Sequence, residues 1–193
     1  KASVKLTNAT GSSLPVLLFL LSQDFDEKHH LVIAENQDDA YDLMDDFTSL
    51  FKMHAKSKED HLPILFFPTP YKSKYNLTHK NKHHVMFRNK TTLRLYENNP
   101  SIIITYPQAL AHAILAKSRA EKEKTTISLQ QSIDPIFLSE WLEQTGFVEV
   151  DMVSSPGEYS RRGNILDVFS YAETYPARII FDDDRIEKIK FFH

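Results

Sequence analysis

An α/β lobe built on a parallel sheet over residues 1–116, followed by a small α+β domain over 117–193, is the fold class this sequence predicts. Three short apolar runs are each followed by a helical segment, which implies a parallel sheet covered by helices. The chain then turns almost wholly charged over 117–124, and beyond that run the pattern becomes one helix and several strands.

The elements follow in order. Leu31-Val32-Ile33-Ala34 reads as a strand buried on both faces. Ala40, Leu43, Met44, Phe47, Leu50 and Phe51 recur at three- and four-residue spacing among acids, the pattern of an amphipathic helix. Ile64-Leu65-Phe66-Phe67, ended by Pro68 and Pro70, predicts a second strand, and a polar stretch of helical character follows over 82–97. Ile102-Ile103-Ile104-Thr105 predicts a third strand. Pro107 then opens a helix through Ala109, Leu110, Ala113 and Ile114, at a position where its missing N–H costs nothing.

Past the charged run, Ile127 and Leu129 alternate with polar residues. Asp134 caps and Pro135 opens a helix whose Phe137, Leu138, Trp141 and Leu142 form one stripe, stopped by Gly146. Strands are expected at 148–153, 164–169, 177–181 and 185–192, the last two joined by the turn Asp182-Asp183-Asp184. One helix lies against an antiparallel sheet in this reading.

The totals narrow the function. At 193 residues and 41% hydrophobic, the chain can bury one substantial core or two small ones. A net charge of −3 and a pI near 6.3 oppose a dedicated nucleic-acid binder. They still allow a local basic stretch over 72–90 to meet DNA phosphates. With no cysteine, disulfides, iron–sulfur clusters and thiol catalysis are excluded, and a reducing cytoplasm is the expected setting. The N-x-T triplets at Asn8, Asn76 and Asn89 are read as chance matches, and the apolar run over 15–21 is too short to span a bilayer. A start at Lys1 and an apolar end at Phe191-Phe192-His193 predict a piece of a longer chain.

Several chemistries find no support. The histidine pairs His29-His30 and His83-His84, and the i, i+4 pair His79 and His83, lack the further ligands of a metal site. The three aspartates at 182–184 read as a solvated hairpin turn. No G-x-S-x-G or H-E-x-x-H occurs. The segment "NATGSSLPVLLFLL" has the turn of a phosphate-binding loop at Thr10-Gly11-Ser12-Ser13, but Leu14 stands where such a loop places Lys and Pro15 where it places the magnesium-binding hydroxyl. No ATP binding is expected there, only an apolar helix start.

The polar residues of "PGEYSRRGNILDVF" occupy positions that folding alone does not demand. Arg161 and Arg162 precede Gly163 and an alternating strand, and a neighbouring strand carries Arg178. Guanidiniums clustered on one β surface are bidentate donors suited to carboxylates or phosphates. The alternative is that they are solvated strand residues paired with Glu158 or Glu173. Alternation puts Arg161 and Arg162 on opposite faces unless a bulge near Gly163 intervenes.

These residues carry a resemblance. Gly157, Glu158, Tyr159, Arg162, Gly163, Leu166, Asp167, Phe169, Pro176, Arg178, Phe181, Ile186, Glu187 and Ile189 fall in step with the interaction domain shared by the excinuclease component UvrB and the bacterial transcription-repair coupling factors. The order upstream is also similar to the helicase-like lobe of that family, through "ENQDDAYDLMDDF", "LFFPTPYKSKYN" and "IIITYPQAL". In UvrB the phosphate loop is intact, whereas in the coupling factors it is degenerate, so Leu14 and Pro15 favour the N-terminal region of a coupling factor. An ATP-dependent DNA-processing fragment in the style of UvrB is the alternative.

The resemblance implies a binding module without ATP hydrolysis or cofactor of its own. ATP and magnesium act in motor domains elsewhere in the family's longer chains, and so do contacts with RNA polymerase and DNA. It implies a surface for the excinuclease component UvrA, covered at rest by a C-terminal domain, and no membrane role. The family's contact arginines map to Arg162 and Arg178. A third contact, an aromatic in some relatives, falls on Asp182 here, and neighbouring Phe181 is expected to take its role.

Overall fold

The structure, a computed structural model, describes Lys5, Thr7 and residues 11–24, 27–54, 62–73 and 76–193. In chain order the elements begin with α1 (Ser13–Asp24), β1 (His30–Ile33), α2 (Gln37–His54), β2 (Ile64–Phe67), β3 (Tyr71–Ser73) and β4 (Asn76–Lys80). Next come α3 (Lys82–Tyr96), β5 (Ile102–Thr105), α4 (Pro107–Leu110), α5 (Lys117–Glu123) and α6 (Pro135–Gln144). The last are β6 (Val148–Glu149), β7 (Glu158–Arg162), β8 (Ile165–Phe169), β9 (Ala177–Asp182) and β10 (Arg185–Phe191).

Two compact units result. One comprises Lys1–Thr69 with Arg94–Ala113, the other Pro70–Leu93 with Ile114–His193. The break after Ala113 lies beside the boundary read from the charged run at 117. The segment Pro70–Leu93, which the sequence places in the first lobe, goes with the second unit instead. Its Met86 and Phe87, on α3, pack with Val153 and Phe169, and apolar packing of that kind is not visible in local sequence.

In the first unit β1, β5 and β2 form a parallel sheet in that order. α2 packs on it, with Tyr41 against Phe66 at 4.7 Å, and starts where Asn36 Oδ1 accepts the N–H groups of Asp38 and Asp39. α1 lies on α2 through Phe19 and Phe51, whose rings meet edge-on at 4.8 Å. The central strand β5 is buried throughout, as a strand with a neighbour on each side should be. β1 departs from expectation: Leu31 is 57% exposed and Ile33 53%, so only one face is covered. α4 is shorter than the predicted helix, since His112 N–H donates to Ala109 in a tighter turn and Ile114 is left exposed.

At the carboxyl ends of these strands the Tyr106 hydroxyl is buried in a closed network. It donates to Gln37 Oε1 at 2.9 Å and accepts the Thr69 N–H at 2.9 Å. Burial pushes the neighbouring Tyr41 hydroxyl above its ordinary pKa, helped by Tyr106 and Asp38.

The second unit holds the sheet β10-β9-β8-β7-β6, antiparallel except that β6 runs parallel to β7. α6 covers one face. Leu138 and Leu142 pack with Tyr159, Leu166, Val168, Ile179, Phe181 and Ile186. Asp134 Oδ1 accepts the Ile136 N–H at 2.6 Å, and Gly146, at φ +91°, ends the helix as anticipated. Phe137, expected in the stripe, is 61% exposed, because one residue before Leu138 it lies about 100° round the helix.

The strand expected at 148–153 pairs only over β6, although Val150 N–H still reaches Tyr159 O at 2.9 Å. β7 is not legible as a strand in the sequence, because Tyr159 alone in it is apolar and leaves no run to read. It is placed by its neighbours. Gly157 sits at φ +81° with its N–H on Phe169 O, and a Cβ there would run into the end of the Tyr171 side chain, so the turn into β7 favours glycine.

Candidate functional site

Cross-strand register decides which side chains share a surface. Tyr159 and Arg161 lie opposite Val168 and Leu166, and these face α6. Ser160 and Arg162 lie opposite Asp167 and Ile165, and Asp167 and Ile165 lie opposite Arg178 and Ile180. On β10, Lys190 pairs with Arg178 and Lys188 with Ile180. The second face of the sheet therefore carries Arg162, Arg178, Lys188 and Lys190 against Asp167 and Asp182. Met86 of α3 packs near Phe169 on this face, while Arg162, Asp182, Lys188 and Lys190 are exposed on it.

The turn between β7 and β8 is tight. Arg162 pairs with Ile165 across Gly163-Asn164, with Gly163 at φ +60° and no bulge. Simple alternation therefore holds and separates the two arginines: Arg162 shares the Arg178 face and Arg161 does not. Arg162 Nη2 donates to Asp151 O at 2.6 Å and its Nε to Ser160 Oγ at 3.4 Å, which holds the guanidinium beside the edge of β6.

Arg178 is held differently. Its Nε donates to Asp167 Oδ1 at 2.7 Å and its Nη2 to Asp167 Oδ2 at 2.8 Å, a bidentate pair. The guanidinium carbon lies 5.2 Å from the centre of the Phe192 ring. The hydrogen bonds and charge of Asp167 raise the Arg178 pKa further, so it is cationic at any working pH. Neither Glu158 nor Glu173 pairs with it. Glu158 accepts instead from Lys82 Nζ at 3.0 Å and from the N–H groups of Ser154 and Ser155 at 3.0 and 2.8 Å. Burial pushes the Glu158 carboxyl up, but these three donors outweigh it and hold it below its ordinary value.

One sequence expectation changes. Phe181 is 1% exposed, packed under α6 on the face opposite Arg178, so it cannot stand in for the missing aromatic contact without leaving the core. Asp182 is exposed at the end of β9, on the Arg178 face. Lys188, Lys190, Ile165 and Ile180 join the surface without a sequence signal to announce them. Period-two alternation marks each strand's two faces, but only the register shows which face of β10 joins which face of β9.

Of the degenerate loop, Thr10 lies outside the described residues. Gly11 is at φ +55°, Ser12 O accepts the Val16 N–H, and Ser13 begins α1. Pro15 is buried as expected, but Leu14 is exposed, so only one of the two packs at the helix start. Of the basic stretch over 72–90, the side chains of 72–79 lie outside the described residues, while Lys82 is paired with Glu158. Among the described residues no cluster of three or more potential metal ligands occurs, and no helix is long and apolar enough to cross a membrane.

Comparison with known proteins matches residues 125–193 to the family model described as the UvrB interaction domain. That match covers about a third of the chain. It contains α6 and all five strands of the second sheet, including the Arg162 and Arg178 face. The chain is also similar to transcription-repair-coupling factors. It is 31% identical to that of Borreliella burgdorferi over 106 residues, 55% of this chain and 9% of the relative. To that of Bacillus subtilis it is 24% identical over 188 residues, 97% of this chain and 15% of the relative. To that of Escherichia coli it is 39% identical over 51 residues, 26% of this chain and 4% of the relative. The chain thus spans only a small part of these relatives' length, and the resemblance read from the sequence is matched in the family it named.

Proposed function

We propose that this chain is a protein-interaction module of transcription-coupled nucleotide excision repair, which binds the excinuclease component UvrA through the open face of its second sheet. The observation that supports it is the placing of Arg162 and Arg178 on one partly exposed surface with Lys188 and Lys190, inside the matched domain. Complementary charge of this kind speeds encounter and selects partners. The first unit is a helicase-like lobe whose loop no longer holds nucleotide, because Leu14 and Pro15 supply neither the charge nor the hydroxyl that phosphate and magnesium require. In this reading the chain hydrolyses no ATP and acts in the cytoplasm. Motor, polymerase and DNA contacts belong to other parts of a longer protein, and so does a C-terminal domain that covers the surface at rest.

Titration calorimetry of this chain against UvrA of the same organism tests the proposal. Saturable binding is expected, and it should be lost in the Arg162→Glu, Arg178→Glu double variant. Removing one partner of a desolvated charge pair costs roughly 2–5 kcal/mol. Undiminished binding by the double variant would overturn the reading.

A further inference from the structure

The two arginines are not held alike, and the difference points to a third residue. Arg162 is tethered to backbone and hydroxyl oxygens, which leave its charge uncompensated. Arg178 is gripped by a carboxylate that is itself 5% exposed, while the Arg178 side chain is 43% exposed. Asp167 is thus desolvated in order to hold a group that faces water. As a stabilising device alone this arrangement is poor, since a buried acid loses much of its Coulombic gain to desolvation and an apolar cross-strand pair would serve as well.

The geometry of the grip is specific. Asp167 takes the edge of the guanidinium formed by Nε and Nη2. Among the described residues no hydrogen bond is made by Nη1. The end-on edge, Nη1 with the second hydrogen of Nη2, has the fork spacing that fits another carboxylate. Phe192 lies over the guanidinium, so one face of its plane is covered.

We propose that Asp167 is a positioning residue for partner binding, which fixes the Arg178 plane so that its free end-on edge receives a carboxylate from the partner. This rests on the proposed function above and adds to it a division of labour. Asp167 offsets the Arg178 charge as Glu187, 3.1 Å from Lys188 Nζ, offsets that of Lys188, so long-range steering falls to Arg162 and Lys190. Arg178 acts through geometry, which sets how long the complex lasts.

Binding kinetics of this chain on immobilised UvrA test the proposal, with Asp167→Asn, Arg178→Ala and the double variant beside the wild type. Asp167→Asn is expected to lose about tenfold in affinity, almost all of it as faster dissociation, as is usual for interface changes. In the Arg178→Ala background the same change should cost nothing more, because Asp167 acts only through Arg178. Arg178→Lys keeps the charge and lacks the fork, so it should bind as poorly as Arg178→Ala; this variant carries the test if Asp167→Asn fails to fold by thermal melting. Wild-type kinetics in Asp167→Asn, or full retention in Arg178→Lys, would overturn the positioning role while leaving the interaction surface intact. If Arg178→Ala itself bound like wild type, or the wild type did not bind at all, the proposed function would fall with it.

Discussion

The two sheets of this chain treat polar groups in opposite ways. In the parallel sheet of the first unit two polar side chains at the carboxyl end of β5 are turned inward and satisfied: Tyr106 is buried on Gln37 and Thr69, and Thr105 Oγ1 donates to Phe67 O at 2.8 Å. What β1 exposes is apolar, Leu31 and Ile33. In the antiparallel sheet of the second unit one face is closed by α6, and the other presents guanidiniums and ammoniums to solvent. A sheet face that is only partly covered can vary its exposed residues without disturbing the core under α6, which is why recognition is expected there.

The contrast between the sheets is tested most forcefully at the dry face. Phe181→Ala empties the centre of the α6 core and should cost about 3–5 kcal/mol, as large-to-small changes of buried aromatics do. Hydrogen exchange should show lost protection across β7 to β10 and retained protection in β1, β2 and β5. Equal loss in both sheets would mean that the two units do not unfold separately. In the first unit, Tyr106→Phe removes a hydroxyl that three groups share, at a cost of about 1–3 kcal/mol. Urea unfolding measures it, and a neutral result would show that water replaces the hydroxyl.

A pH dependence is the weakest of the expected effects. Glu158 has a folded pKa below its unfolded value of about 4.5, so its contribution is fully present above that value and is lost as pH falls through the folded pKa. Wild type and Glu158→Gln should therefore differ in melting temperature at pH 7 and converge in strong acid. A constant difference over that range would mean that the carboxylate's charge contributes nothing to stability.

Much of this protein is legible in local sequence. The apolar runs at 64–67 and 102–105, the three- and four-residue spacing from Ala40 to Phe51, the Asp134 cap and the Gly146 stop each act within a few residues, where periodicity and capping chemistry operate. The run from Gly157 to Ile189 likewise carries its family resemblance unaided. Long-range packing and pairing set the rest. Leu31 reads as buried, but an edge strand covered on one side leaves it exposed. β7 has no apolar run and exists because β8 supplies its hydrogen bonds. Phe181 looks available beside Asp182, yet the pairing of β9 with β8 turns it under α6. Most of all, Asp167, Arg178 and Lys190 come from three strands, and their shared surface depends on register, a long-range quantity that no window of neighbouring residues contains.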